Sequence, residues 1–300
     1  MNALKFASLA LSGLKAILIP SAPPVLATII LTDQCNLSCQ HCAVANQANT
    51  FATYDETLAL MKKLKEEGVK ILFFCGGEVF LWQDGGKTIQ DLVRIAKEMG
   101  FVLVCVVTNG TIAVDVPEAD SVFLSIDGSA RTHDLIRGET FSTIMENLQR
   151  VSTDNVVFYM AVNNLNYNEI SEVTKLASKL KPVKAISFNF HTPYSGTERL
   201  SLNREQKEQA VATIKKLIKS GYPVFNLPVG LDRYLLGNWE RPCRQCVVYE
   251  AGREFICGRC IEIPGLCEEC GYLFAVEFSL LLKGNPRAIW QMLRVYLKYS

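Results

Sequence analysis

The feature that most limits the fold of this chain is a sixfold alternation. Short apolar runs at about residues 25–31, 69–75, 101–107, 121–126, 156–162 and 183–190 alternate with helical patterns. The helical patterns lie at about 54–67, 88–98, 141–151, 169–180 and 203–219. The apolar runs are continuous, as strands are when both faces of a sheet are covered. Repetition of this kind favours parallel strands joined by right-handed crossovers. Three hundred residues suit one α/β barrel with appendages. A short edge strand at 222–227 is a further candidate.

Cysteine usage is the second constraint. Nine of the eleven cysteines fall in two tight groups, 35–42 and 243–270. Clustering favours metal sites in a reducing cytosol over a disulfide scaffold. Cys75 and Cys105 stand alone in apolar strands and read as core residues. The first group, Cys35-Asn-Leu-Ser-Cys39-Gln-His41-Cys42, follows the first strand. Its spacing lets one loop aim three thiolates at one point. Iron–sulfur clusters normally take four cysteine ligands, so three leave one iron open to a chelating small molecule. A zinc loop or buried thiols are the other readings of the spacing alone.

In such barrels the active site lies at the carboxyl ends of the strands. Gly76-Gly77-Glu78-Val79 follows the second strand, and two glycines let a backbone approach a ligand closely. Ser125-x-Asp127-Gly128 and then His133-Asp134-x-x-Arg137-Gly138 follow the fourth. A guanidinium suits a bidentate carboxylate contact; capping a helix or making a surface pair is the plainer role for Arg137. Asn163 and Asn164 after the fifth strand are candidates for ribose or adenine. Asn189, His191 and Tyr194 are candidates for the same mouth after the sixth, and Cys75, His191 and Tyr194 remain open as hydrogen-atom or proton donors.

CxxxCxxC after a first strand, with His41 before the third cysteine, resembles the radical S-adenosylmethionine (SAM) enzymes. The resemblance implies a partial (β/α)6 TIM-type barrel. It implies a 4Fe-4S cluster on Cys35, Cys39 and Cys42 whose open iron binds SAM, and reductive cleavage of SAM to a 5′-deoxyadenosyl radical. Gly76, Gly77 and Glu78 resemble the family's Gly-Gly-Glu-Pro motif, which receives the SAM amino group; Val79 replaces the proline. The Ser125–Gly138 pattern looks like the subgroup with SPASM-domain peptide maturases and the molybdenum-cofactor cyclase. It implies that Ser125 and Asp127 lie near SAM and that Arg137 pairs with its carboxylate. Asn163 completes the expected SAM contacts.

The second group is three CxxC pairs: Cys243 and Cys246, Cys257 and Cys260, Cys267 and Cys270. It resembles a shortened SPASM or twitch extension, which implies an auxiliary iron–sulfur cluster; CxxC-x10-CxxC also suits a structural zinc. Mean hydropathy is +0.15, and the apolar excess sits at the ends. Lys5, Ser8, Ser12 and Lys15 form one stripe of an amphipathic helix. A last helix after Asn285-Pro286 carries Arg287, Gln291, Arg294 and Lys298 beside Ile289, Trp290, Leu293 and Leu297. Such helices either pack on the barrel or lie on an anionic membrane surface. The expected units are an amphipathic helix at 1–24, the barrel at 25–235, the Cys-rich extension at 236–275 and a basic amphipathic helix at 276–300.

Together these readings predict a cytoplasmic radical SAM enzyme of α/β class with amphipathic terminal helices. Its substrate is a peptide or protein; a membrane lipid or isoprenoid acted on by a peripheral enzyme is the alternative. A non-catalytic zinc or iron–sulfur module is the rival of another class. A low-potential donor such as flavodoxin or ferredoxin is the expected electron partner. No nucleic-acid partner is expected, although a net charge of +1 decides nothing there.

Overall fold

The computed structural model describes residues 3–19, 22–47, 49–241 and 245–299, with the side chains of 3, 4 and 296 left aside. Cys243 lies outside the described residues. Six strands run parallel in chain order: β1 (Leu26–Ile30), β2 (Ile71–Cys75), β3 (Leu103–Thr108), β4 (Ser121–Ser125), β5 (Val156–Val162) and β6 (Val183–Phe190). Their order and direction agree with the sixfold alternation. Helices cover them: α2 (Tyr54–Glu67), α3 (Ile89–Glu98), α4 (Ala130–Arg137), α5 (Phe141–Leu148), α6 (Ile170–Ala177) and α7 (Arg204–Lys219). Helix α1 (Ala3–Leu18) precedes the sheet.

Local chemistry sets many of these boundaries. Thr53 and Glu56 form a reciprocal capping box at the start of α2, and Gly68 ends it at φ 98°. Asn203 and Gln206 do the same for α7. Phe74, Trp82, Phe158 and Phe188 are fully buried in one continuous core. Each such side chain contributes about 1.5–3 kcal/mol.

The sheet does not stop at six strands. The Cys-rich stretch supplies β7 (Cys246–Glu250) and β8 (Arg253–Ile256). β7 pairs parallel with β1, from Leu26↔Cys246 to Ile29↔Tyr249, and β8 returns antiparallel. Further along, the Phe190 amide donates to Gly271 O (2.8 Å), and the Leu273 amide to Asn189 Oδ1 (2.7 Å). One segment thus touches both outer strands of the six, β1 at its start and β6 at its end. The region expected as an edge strand at 222–227 makes only an isolated bridge, Ile186↔Val224. Helix α8 (Pro228–Leu236) starts immediately after that range, with Pro228 at its amino end.

Helix α9 (Leu273–Leu282) lies under α1, α8 and the last helix, α10 (Pro286–Tyr299). Glu277 is buried within it. Its Oε1 accepts from the Leu227 amide (2.8 Å) and Asn226 Nδ2 (3.3 Å). Burial pushes this carboxyl up to about 8.

Candidate active site

The chain leaves β1 into a loop closed at its neck by the Thr32↔Phe51 bridge and the Ala52 amide on Leu31 O (2.8 Å). Asn46, at φ 57°, fixes the loop from within. Its Oδ1 accepts from the Cys35 amide (3.0 Å), and its Nδ2 donates to Cys35 O (3.1 Å). The two glycines after β2 press against the outside of the loop. The Gly77 amide donates to Thr32 O (2.7 Å) and the Glu78 amide to Gln34 O (2.8 Å). A Cβ on Gly76 would collide with Thr32 O, and one on Gly77 with the carbonyls of Asp33 and Gln34. The close approach expected of these glycines is therefore made to the cysteine loop itself.

Each thiol of the loop has an N–H directed at it. The Leu37 amide and Asn109 Nδ2 point at Cys35 Sγ (3.4 and 3.7 Å), and the Ala45 amide at Cys42 Sγ (3.4 Å). Arg137 Nη1 lies 3.9 Å from Cys39 Sγ. Burial pushes the Cys39 thiol up to about 11 against the pull of Arg137. Burial also raises Cys35. The charges of all three sulfurs act on one another.

Arg137 is held from behind by Asp127. Its Nε donates to Asp127 Oδ2 at 2.6 Å, while Asp127 Oδ1 accepts from the Ala161 amide at 2.7 Å. Burial pushes the Asp127 carboxyl up, but Arg137, His41 and the Ala161 amide together outweigh it and hold the group below the usual carboxylate range. His41 completes the cluster: Arg137 Nη2 faces its Nε2 at 3.5 Å. Burial lowers His41 to about 4, so the ring is neutral at pH 7. With Nε2 accepting, Nδ1 carries the proton, and it has no partner among the described residues.

The other expected residues divide into two sets. Glu78 is wholly buried and turned toward β3: it accepts from Thr108 Oγ1 (2.7 Å), the Asn109 amide (2.7 Å) and the Phe80 amide (3.1 Å). Asn163 is spent on its own turn, bonding Ala161 O and the Leu165 amide. Asn189 bonds Tyr159 and Leu273. His191 Nε2 donates to Thr197 O at 3.0 Å. Ser125 ends β4, nearly buried beside the Asp127 corner, and Asn164 keeps a buried Oδ1 without a partner among the described residues. Tyr194 lies against Cys260 and Tyr272.

In the second cysteine group, Cys257, Cys260, Cys267 and Cys270 line one cavity with Trp239 and Arg241. Cys246 is buried at the start of β7, where its carbonyl accepts from the Cys257 amide at 2.8 Å. Cys246 is not among the cavity-lining residues. Arg259 reaches from this segment to the carbonyl of Ala43, on the first loop. Among the described residues, no three His, Cys, Asp or Glu side chains converge as they do around a single metal ion.

Residues 29–177 match the model of the radical SAM superfamily. The chain belongs to that superfamily. It is 33% identical over 170 residues to the sporulation killing factor maturation protein SkfB of Bacillus subtilis, a match over 51% of this chain and 39% of SkfB. It is 28% identical over 196 residues to the 7,8-dihydro-6-hydroxymethylpterin dimethyltransferase of Methanocaldococcus jannaschii, over 59% of this chain and 37% of that enzyme. The matches thus span about two fifths of the length of these curated relatives. Among solved structures, Streptococcus suis SuiB bound to its precursor peptide SuiA aligns with a TM-score of 0.63 and 14% identity, over 95% of this chain and 70% of that one. This last likeness is one of fold.

A radical SAM chain implies a 4Fe-4S cluster and SAM as cofactors. The first loop fits them by its donor set: three thiols, each with an N–H directed at it, on a loop seated by a glycine pair. Sulfur ligands select iron–sulfur clusters, and hydrogen bonds to the sulfurs tune them. The sequence reading missed Asn46 and Asn109 as supports of this loop. Asn109-Gly110 is by residue type only a turn signal, and Asn46 carries no local signal beyond its tolerance of positive φ.

Proposed function

We propose that this chain is a radical SAM enzyme that modifies a peptide or protein, with Cys35, Cys39 and Cys42 holding the SAM-cleaving cluster. When bound, the cluster and SAM supply a one-electron reductive cleavage that yields a 5′-deoxyadenosyl radical. The chain's own residues make that chemistry selective. Arg137, fixed by Asp127, sets a positive charge beside Cys39 and His41, and its guanidinium is the natural partner for a carboxylate guest. Glu78 is fully occupied by β3, so its role is to hold the turn, leaving the backbone of Gly76 and Gly77 to meet an amino group. Ser125 and Asn164 stand at the ends of β4 and β5 as polar contacts for the nucleoside. The Cys-rich extension, spanning from β1 to β6, walls the mouth and limits the escape of a reactive species to water.

One observation carries this reading: three thiols on one loop with the Asp127–Arg137 pair against them. Anaerobically reconstituted, reduced protein is expected to convert SAM to 5′-deoxyadenosine, and Cys39→Ala to lose that conversion entirely. Persistence of the product in Cys39→Ala would remove the reading. The peptide class draws on the likeness to SkfB, a maturation protein by name. Coexpression with short open reading frames adjacent to the gene should give a peptide of altered mass; the pterin enzyme is the relative against which that outcome counts.

The four cysteines around one cavity support an auxiliary iron–sulfur cluster at the second group. Reconstituted protein is then expected to hold clearly more iron than one cubane. One cubane's worth of iron plus stoichiometric zinc assigns the second group to zinc instead.

A further inference from the structure

The first and last helices present apolar side chains to solvent where amphipathic helices of a globular fold bury them. On α1, Ala7, Leu11, Leu14 and Leu18 recur at steps of four, three and four, which is a single helical face. Leu11 is 56% exposed and Leu18 68%. Ser8, Ser12, Ala16 and Ile17 are half-buried instead. On α10, Trp290, Leu293 and Leu297 form a second outward stripe, with Trp290 57% and Leu297 78% exposed. Ala288 packs inward against Leu227 and Leu280. Ile17 of α1 lies beside Gly284, in the turn that leads from α9 into α10, and both helices pack on α9.

Charge on these segments is of one sign. Residues 1–32 and 278–300 hold Lys5, Lys15, Lys283, Arg287, Arg294 and Lys298 and no carboxylate side chain, in a chain of net charge +1. Lys5 pairs with Asp120 and Lys283 with Glu240, and Lys298 donates to Gly221 O. Among the described residues, no ion pair engages Lys15, Arg287 or Arg294. The Arg294 guanidinium stacks over the Trp290 ring at 4.7 Å, leaving an aromatic with a cation beside it on an outward face.

From the apolar stripes and the flanking cations together we infer that α1 and α10 form a docking surface for an anionic lipid bilayer. Leucines and Trp290 enter the interface while Lys15, Arg287 and Arg294 meet the headgroups. Asp120, which Lys5 reaches, precedes β4, at the end of the sheet opposite the cysteine loop. The docked protein therefore keeps its mouth toward water. This inference is independent of the substrate proposed above.

The test uses the full, reconstituted chain with vesicles of phosphatidylcholine alone or mixed with phosphatidylglycerol, alongside light scattering. Cosedimentation with the anionic vesicles at 0.1 M salt, weakened at about 0.5 M, is expected, with little on the neutral ones. Arg287→Ala with Arg294→Ala should lower partitioning about 25-fold, roughly fivefold for each cation. Leu14→Glu with Trp290→Glu should abolish it while 5′-deoxyadenosine formation persists, which separates lost docking from lost folding. Absence of binding to anionic vesicles at low salt overturns the inference. So does a dimer that Leu14→Glu dissociates, which gives the face to a second copy.

Discussion

The two cysteine groups are built in different ways. The first is eight residues on one loop, and the barrel fixes it from three sides: the glycine pair after β2, Asn109 after β3 and Arg137 at the end of α4. The second draws its thiols from a longer stretch with a single short turn of helix, Arg259–Glu262. Backbone pairing fixes that stretch at its ends, β7 on β1 and Gly271 on β6, while its middle is held by side chains alone, Arg259 on the first loop and Glu254 on Lys63. The barrel thus prepares the first site before any cluster arrives. On the reading proposed above, the cluster taken up by the second group would complete its arrangement, as in small metal-organised domains.

Removing Arg137 is the sharpest way to break this contrast. Arg137→Ala leaves Asp127 buried without its ion-pair partner, which costs about 3–5 kcal/mol when such pairs are broken. Denaturant unfolding should report that loss, and metal analysis should show the first site depleted while the second keeps its metal. Joint loss at both sites would mean that the groups are not separately built. Gly77→Ala is expected to do the same more mildly. Its Cβ would run into fixed backbone carbonyls, and overpacking of this kind costs about 1–3 kcal/mol.

Acidity offers a gentler probe, aimed at α9, the helix that follows the second group. The Glu277 carboxyl is raised to about 8 by burial, above its unfolded value near 4.5. The folded chain therefore holds the extra proton between those values. This contribution is fully present below about pH 4.5 and is lost as pH rises through about 8, at up to about 1.4 kcal/mol per pH unit. Glu277→Gln should flatten the pH dependence of melting between about pH 5 and 8. An unchanged profile would show that α9 is not the source of the titration.

Six parallel strands in chain order, and the cysteines after the first, were legible because continuous apolar runs and short fixed spacing are local signals. Helix α4 was not, because its start is stabilised from a distance: Glu169 accepts from the Ser129 amide (2.7 Å) and from Thr132 Oγ1 (2.5 Å). β7 was hidden because Val247-Val248-Tyr249 is short and lies among cysteines read as a metal-binding extension. Helix α9 is apolar nearly all round, so it has no periodicity to find. The expected SAM contacts were legible as positions after strands. That Asn163 is consumed by its own turn, and Glu78 mainly by the end of β3, required the hydrogen bonds themselves.

The pairing of β1 with β7 has a consequence for biosynthesis. The outer ladder of Leu26–Ile29 finds its partner only in Cys246–Tyr249, more than two hundred residues later. At 5–20 residues per second, a ribosome takes about 10–40 s to supply that partner. Throughout that interval an apolar strand edge stands open beside the growing chain, the kind of template that invites intermolecular pairing. A nascent chain truncated before residue 246 should aggregate where the full chain does not.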